Sequence, residues 1–246
     1  MKKKTVIIIS ALVLIATGAF IYIKSQIKEE YDYTDFYEEI TLPEKMDDEV
    51  ITEKEPEKVL SLQLLHERND DVVGILTFDD KVIYEPIVQA PDNKYYERKN
   101  IDKDYAAAGI PFVSADGNIS SKNVVIFGHS STKRDIIFTP LMNYIEKSYY
   151  NSHSKFIFET FSENRTYEIF AVFSYDTKDI NDSLEFIQTS WRKKEEFSTF
   201  IKNVKAKSFY STGVSVNEND KIMTLVTCDT RDNSKRIVVL AKLIND

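Results

Sequence analysis

Cys228 is the only cysteine in 246 residues, and it closes the apolar run Ile222, Met223, Thr224, Leu225, Val226, Thr227 just before a polar loop over residues 229–235. A lone thiol has no disulfide partner in its own chain, so it is either buried as a small hydrophobe or used as a nucleophile. The loop gives way at Arg236 to a second apolar run, Ile237, Val238, Val239, Leu240 and Ala241. Paired as a hairpin, the two runs set Cys228 and Arg236 face to face at its open edge. The base that such a thiol needs can come from three histidines, His66, His129 and His153. His129 is placed as Cys228 is: it follows Asn123, Val124, Val125, Ile126, Phe127 and Gly128 at a strand exit. Gly128 there gives the backbone freedom to turn. His66 falls in a helical stretch and His153 in a polar loop, so both read as surface residues.

Acyl transfer through a thiol needs a thiolate, a proton donor for the leaving amine, and hydrogen bonding to the developing oxyanion. Cys228, His129 and Arg236 supply these in turn. The guanidinium fork of Arg236 can hold two oxygens at once, which the neighbouring Lys235 could not do. Cationic neighbours favour the thiolate and an apolar groove opposes it, a balance the sequence leaves open. No cofactor or metal is expected. There is no second cysteine and no paired histidine spacing for zinc, and Asp70-Asp71 and Asp79-Asp80 read as turns. The six glycines are scattered, so no loop is built to cradle phosphate, and no basic stripe with interleaved aromatics points to nucleic acid.

The elements that must position these residues are mostly strands. Residues 72–78, 81–84 and 87–89 read as a β-hairpin, residues 123–127 as the strand leading to His129, and residues 155–160 and 166–175 as antiparallel neighbours. With the Cys228 hairpin this makes seven or eight short strands without βαβ alternation, hence a mostly β chain folded as a closed or nearly closed antiparallel barrel. Trp191, Phe197, Phe200, Ile201 and Val204 fall at helical spacing and read as core packing of a long helix before the cysteine strand. Residues 139–150 read as a short helix. An N-terminal helical pair is expected over residues 25–40 and from Pro56 onward, where Pro56 suits the first helical position.

Ahead of these elements lies a different kind of segment. Lys2, Lys3 and Lys4 precede nineteen residues without a charge, residues 5–23. About twenty apolar residues span a bilayer, and the lysines place the N-terminus in the cytoplasm and the rest outside. A cleaved signal peptide is the alternative, but the apolar run continues past its small-residue stretch, Ala16, Thr17, Gly18. Residues 25–60 then hold thirteen acids against four lysines, a solvated, self-repelling spacer. The chain divides into an anchor over residues 1–24, an acidic helical stalk over 25–57 and a catalytic domain over 58–246.

The motifs together resemble the sortases, membrane-anchored cysteine transpeptidases of Gram-positive bacteria. Thr224, Leu225, Val226, Thr227 and Cys228 are similar to the family's TLxTC motif, Gly128-His129 to its strand-end pair, and Arg236 with Ile237, Val238 and Val239 to its arginine strand. Asp71-Val72-Val73-Gly74 and the segment from Ile87 to Tyr96 resemble class B in particular. The resemblance implies an eight-stranded barrel, with Cys228 as nucleophile, His129 as general acid and base, and Arg236 steadying substrate and oxyanion. It also implies a substrate groove shaped by Thr227, Val226 and Ser130. Val226 stands where class B members often carry Ser, and Ser130-Ser131 where Asn-Met is common, so the groove differs in detail. The implied partners are secreted proteins bearing a C-terminal sorting signal, cleaved after Thr, and a peptidoglycan amine as acceptor. The implied location is the extracellular face of the cell membrane. A pilin-polymerising transferase and a catalytically silent surface-binding module on the same barrel are the rivals. A papain-like hydrolase is a poorer one, since its cysteine opens a helix.

Overall fold

The computed structural model describes residues 33–40, 57–89, 91–133, 136–182 and 184–244. The apolar segment over residues 5–23 and most of the acidic stalk lie outside them. Among the described residues no helix is long and apolar enough to cross a membrane.

Eight strands close a barrel: β3 (Val72–Phe78), β4 (Tyr84–Gln89), β5 (Phe112–Val113), β6 (Asn123–Phe127), β7 (Lys155–Glu159), β8 (Asn164–Asp176), β9 (Ile222–Asp229) and β10 (Asp232–Ile244). Around the ring the order is β10-β8-β7-β3-β4-β5-β6-β9. The expected all-antiparallel pairing is corrected at two places, because β4 pairs β5 and β6 pairs β9 in parallel. The remaining neighbours are antiparallel. Parallel partners need a long crossover between them. The connection from β6 to β9 is such a crossover, carrying two strands and three helical segments of its own.

Period-two alternation sorts each strand's side chains to two faces. Inside the barrel Val124, Ile126, Met223, Leu225, Ile237 and Val239 join Leu76, Phe156, Phe158, Tyr167 and Ile169 in the main core. The outward set from the same strands, Val125, Ile222, Val226, Val238 and Leu240, would face water if nothing covered it. The long helix Lys194–Lys207 does so with Phe197, Phe200, Ile201 and Val204, one helical stripe, all buried. Glu195 and Glu196 in its first turn and Lys205 and Lys207 in its last complement the helix dipole. Trp191 precedes the helix rather than sharing its stripe, packing from the loop with ring centroids 4.8 Å from both Phe197 and Phe200.

The N-terminal helical pair is corrected in part. Residues Thr34–Phe36 form a 3-10 turn, after which β1 (Tyr37–Ile40) pairs antiparallel with β2 (Glu57–Leu60). The α-helix begins only at Leu62, because Ser61 is the residue that can cap it: its Oγ accepts the Leu64 N–H at 3.3 Å. That helix, α1 (Leu62–Arg68), seals with Phe36 and Leu60 a third cluster that includes Tyr96, Ile101, Ile110 and Phe112. The region expected to be one short helix at residues 139–150 is a 3-10 segment, Thr139–Ile145, followed by α2 (Lys147–Ser152). The long helix is α3.

Candidate active site

Two registers build the site. Antiparallel pairing of β9 and β10 sets Arg236 directly opposite Cys228, as the hairpin reading expects. Parallel pairing of β6 and β9 aligns Phe127 with Val226, and the Gly128 N–H continues the ladder to the Val226 carbonyl at 3.1 Å. Carried on by two residues, that register brings His129 alongside Cys228. Had these neighbours run antiparallel, their C-terminal ends would lie at opposite ends of the barrel, ~16 Å apart for a strand of this length. Cys228 and Arg236 also continue the outward-facing alternation of Val226 and Val238.

The three side chains line one pocket of about 290 Å³, with Asn93, Glu97, Ile110, Phe112, Phe127, Gly128, Val226 and Thr227 as the remaining walls. Cys228 is half-buried. Burial, the charges of Arg98 and Arg236, and an opposing contribution from the Glu97 carbonyl leave His129 below the ordinary histidine range, burial being the largest cause. At neutral pH the free ring is therefore uncharged. Its Nε2 lies 2.9 Å from the Glu97 carbonyl oxygen. Among the described residues Arg236 donates through Nη1 only, to the carbonyls of Asn233 at 3.0 Å and Lys235 at 2.9 Å. Its other N–H groups thus keep their capacity to bind a ligand oxygen.

Residues 83–244 match the model of the sortase domain family. Sortase B of Listeria monocytogenes is 35% identical over 187 residues, covering 74% of this chain and 74% of that protein. The chain belongs to the sortase family. Within it the similarity is to class B, and the activity is that of a sortase-type cysteine transpeptidase. Clostridium perfringens sortase B superposes with a TM-score of 0.69 at 28% identity, covering 75% of this chain and 100% of that structure. A Staphylococcus aureus sortase B–substrate complex superposes with a TM-score of 0.68 at 26% identity, covering 75% of this chain and 84% of that one.

The residues around Cys228 have definite surroundings. Ser130, read from the sequence as a groove residue, does not line the pocket; its hydroxyl donates to the carbonyl of Cys228 at 2.6 Å, stapling one strand exit to the other. Val226 and Thr227 do line it. Thr227 is 2% exposed and its Oγ1 has no hydrogen-bond partner among the described residues, a costly state for a buried hydroxyl. Asp229, buried and next in the chain after Cys228, takes a bidentate grip from Arg231 at 2.9 and 2.7 Å that holds its carboxyl below the usual range and fixes the turn after Cys228.

Gly128 serves a different purpose from the expected turn. Its φ is not in the left-handed region, but a Cβ there would stand 2.5 Å from the Phe138 ring, so glycine lets that ring pack under the histidine segment. The sequence reading gave no role to Asn93 or Glu97. Asn93 lies within the segment that carries the class B resemblance, whereas Glu97 falls one residue beyond it and contributes a main-chain carbonyl, which no side-chain pattern advertises. His66 and His153 stay out of the site: His66 edges against Phe161 and His153 stacks on Tyr149.

Proposed function

We propose that this sortase cleaves a C-terminal sorting signal of secreted proteins after a threonine, holds the acyl fragment as a thioester on Cys228, and passes it to a peptidoglycan amine. The observation that carries this reading is the double register that puts sulfur, imidazole and guanidinium into one pocket. Neutral His129 takes the thiol proton as sulfur attacks the threonine carbonyl, and Arg236 meets the charge that gathers on its oxygen. Collapse breaks the C–N bond, and His129 hands the proton to the departing amine. The acceptor amine then attacks the thioester, loses a proton to His129, and the C–S bond breaks with that proton returned to sulfur.

Ile110, Phe112, Phe127 and Val226 give the pocket an apolar wall suited to peptide side chains preceding the scissile bond. Val226 supplies a methyl surface where a serine would hydrogen-bond, so the signal read here differs at the position it touches. Thr227 helps shape the groove wall, and Ser130 keeps the groove's two banks in register. The S. aureus sortase B solved as a substrate complex supports substrate binding by the same fold.

Anchoring completes the proposal. Residues 5–23 cross the membrane with the N-terminal lysines in the cytoplasm, which leaves the barrel on the extracellular face. The test is transfer of a sorting peptide to amine acceptors, a cross-bridge peptide in one arm and a pilin lysine in another. Cys228→Ala is expected to lower transfer by at least about a thousandfold. Full transfer by that variant would overturn the mechanism, and preference for the pilin lysine would overturn the acceptor.

A further inference from the structure

A carbonyl oxygen cannot donate a hydrogen bond, so the 2.9 Å contact between His129 Nε2 and the Glu97 carbonyl requires the proton to sit on Nε2. That leaves Nδ1 as the nitrogen able to take and return a proton. In sites with a carboxylate behind the histidine, the carboxylate sets tautomer and ring orientation. Here a main-chain oxygen occupies that place, and a main-chain oxygen holds a ring only as firmly as its own segment is held.

That segment is tied down from inside. Tyr96, next to Glu97, is 0% exposed and packs with Leu65, Ile75, Val88, Ile101 and Ile110. Its hydroxyl donates to Asp71 Oδ2 at 2.7 Å and accepts from Asn69 Nδ2 at 2.8 Å. Asp71 is in turn paired with Lys103 Nζ at 3.2 Å, and Asn69 donates a second bond to the Ile101 carbonyl at 2.9 Å. From the other side Gly109, at φ +66°, lies so close that a Cβ would stand 2.6 Å from the Glu97 oxygen and 2.8 Å from the Tyr96 oxygen. Of these residues only Glu97 and Ile110 line the pocket; Tyr96, Asp71, Asn69 and Gly109 stand behind it.

We propose that the Glu97 main-chain carbonyl is the orienting partner of His129, and that Tyr96, Asp71 and Gly109 are positioning residues that fix this carbonyl from behind the site. The proposal rests on His129 being the acid and base of the transfer reaction. It is a division of labour between backbone and core: the histidine's partner carries no charge, and its rigidity comes from a tyrosine buried between α1, β3 and the 91–111 segment.

The carbonyl bond strengthens when the ring is charged, so loosening it lowers the His129 titration midpoint. The other charged or titratable groups facing the ring are Arg98 and the Glu97 side chain from the same segment, Cys228 from β9 and Arg236 from β10. None of these is altered by the variants below.

The experiment is nitrogen and carbon NMR of the histidine rings in the full chain in detergent micelles, with the His129 signals assigned by their loss in His129→Gln. Above its titration midpoint, wild-type His129 is expected as the Nε2–H tautomer. Tyr96→Phe and Gly109→Ala are each expected to lower its midpoint and to lower kcat for peptide cleavage about fivefold, with KM within about twofold. Asp71→Leu, which removes the acceptor of the Tyr96 hydroxyl, is expected to shift both measurements in the same direction as Tyr96→Phe. An Nδ1–H tautomer in the wild type overturns the proposal, even should the variants fail to fold. So does an unmoved midpoint in Tyr96→Phe and Gly109→Ala, whatever their rates. Failure of the transferase reading would look different: no peptide cleavage by wild type, with the Nε2–H tautomer in place.

Discussion

His129 works under opposing influences. Burial and the charges of Arg98 and Arg236 favour the neutral ring, while the Glu97 carbonyl favours the charged one. The first group prevails, so the base form survives as pH falls: the midpoint lies below the ordinary value of about 6.5, and the acid limb of kcat/KM falls there too. Ring titration by NMR checks this, and Arg98→Met is expected to move the midpoint upward. A midpoint above 6.5 in the wild type would contradict it. The same economy applies to protons. The one ring proton of neutral His129 is held on Nε2 by the Glu97 carbonyl, so in the proposed mechanism the proton delivered to the leaving amine is the one taken from Cys228. At this scale much was legible in the sequence: a lone cysteine and a histidine that each follow an apolar run, and an arginine that opens one, are recognised by side-chain type and position. Glu97 was not legible, because its contribution is a carbonyl oxygen that any residue could present. Nor was the bond from Ser130 to Cys228, which exists only once the two strand exits are adjacent.

Among the elements, the pairing of β6 with β9 matters most. Both runs are apolar on both faces, as buried strands are, and such a pattern names neither partner nor direction. The strands were therefore legible and their parallel register was not. Yet the parallel register is what places His129 and Cys228 at one rim. The hairpin of β9 and β10 was legible because its strands are neighbours in sequence, and the opposition of Arg236 to Cys228 follows from its geometry. At the N-terminal side, apolar spacing implied helix before Ser61 where the structure has paired strands; short segments satisfy both periods, and the cap decides. Helix α3 backs the site by covering Val226 and Val238. Phe197→Ala removes a ring that is 1% exposed from this layer and is expected to cost about 3–5 kcal/mol, read by chemical denaturation. A loss under about 1 kcal/mol would show that α3 is not an integral part of the barrel's core.

For the whole molecule, the barrel holds the chemistry and the proposed anchor sets where it acts. A tethered enzyme meets tethered substrates at an effective concentration set by its tether. Deleting residues 1–24 is accordingly expected to leave kcat/KM on a soluble peptide within about twofold while abolishing attachment of exported proteins in cells. Attachment at wild-type levels without the segment would contradict the anchoring role. Everything else depends on the sulfur of Cys228 carrying the acyl group. The most direct measurement is intact-mass spectrometry of the full chain quenched in acid during turnover of a sorting peptide, followed by proteolytic mapping of any adduct. The expected result is a mass increase equal to the peptide's acyl fragment, located on Cys228 and removed by addition of an amine acceptor. Transfer proceeding at full rate with no adduct at Cys228, or with the adduct on another residue, would contradict it.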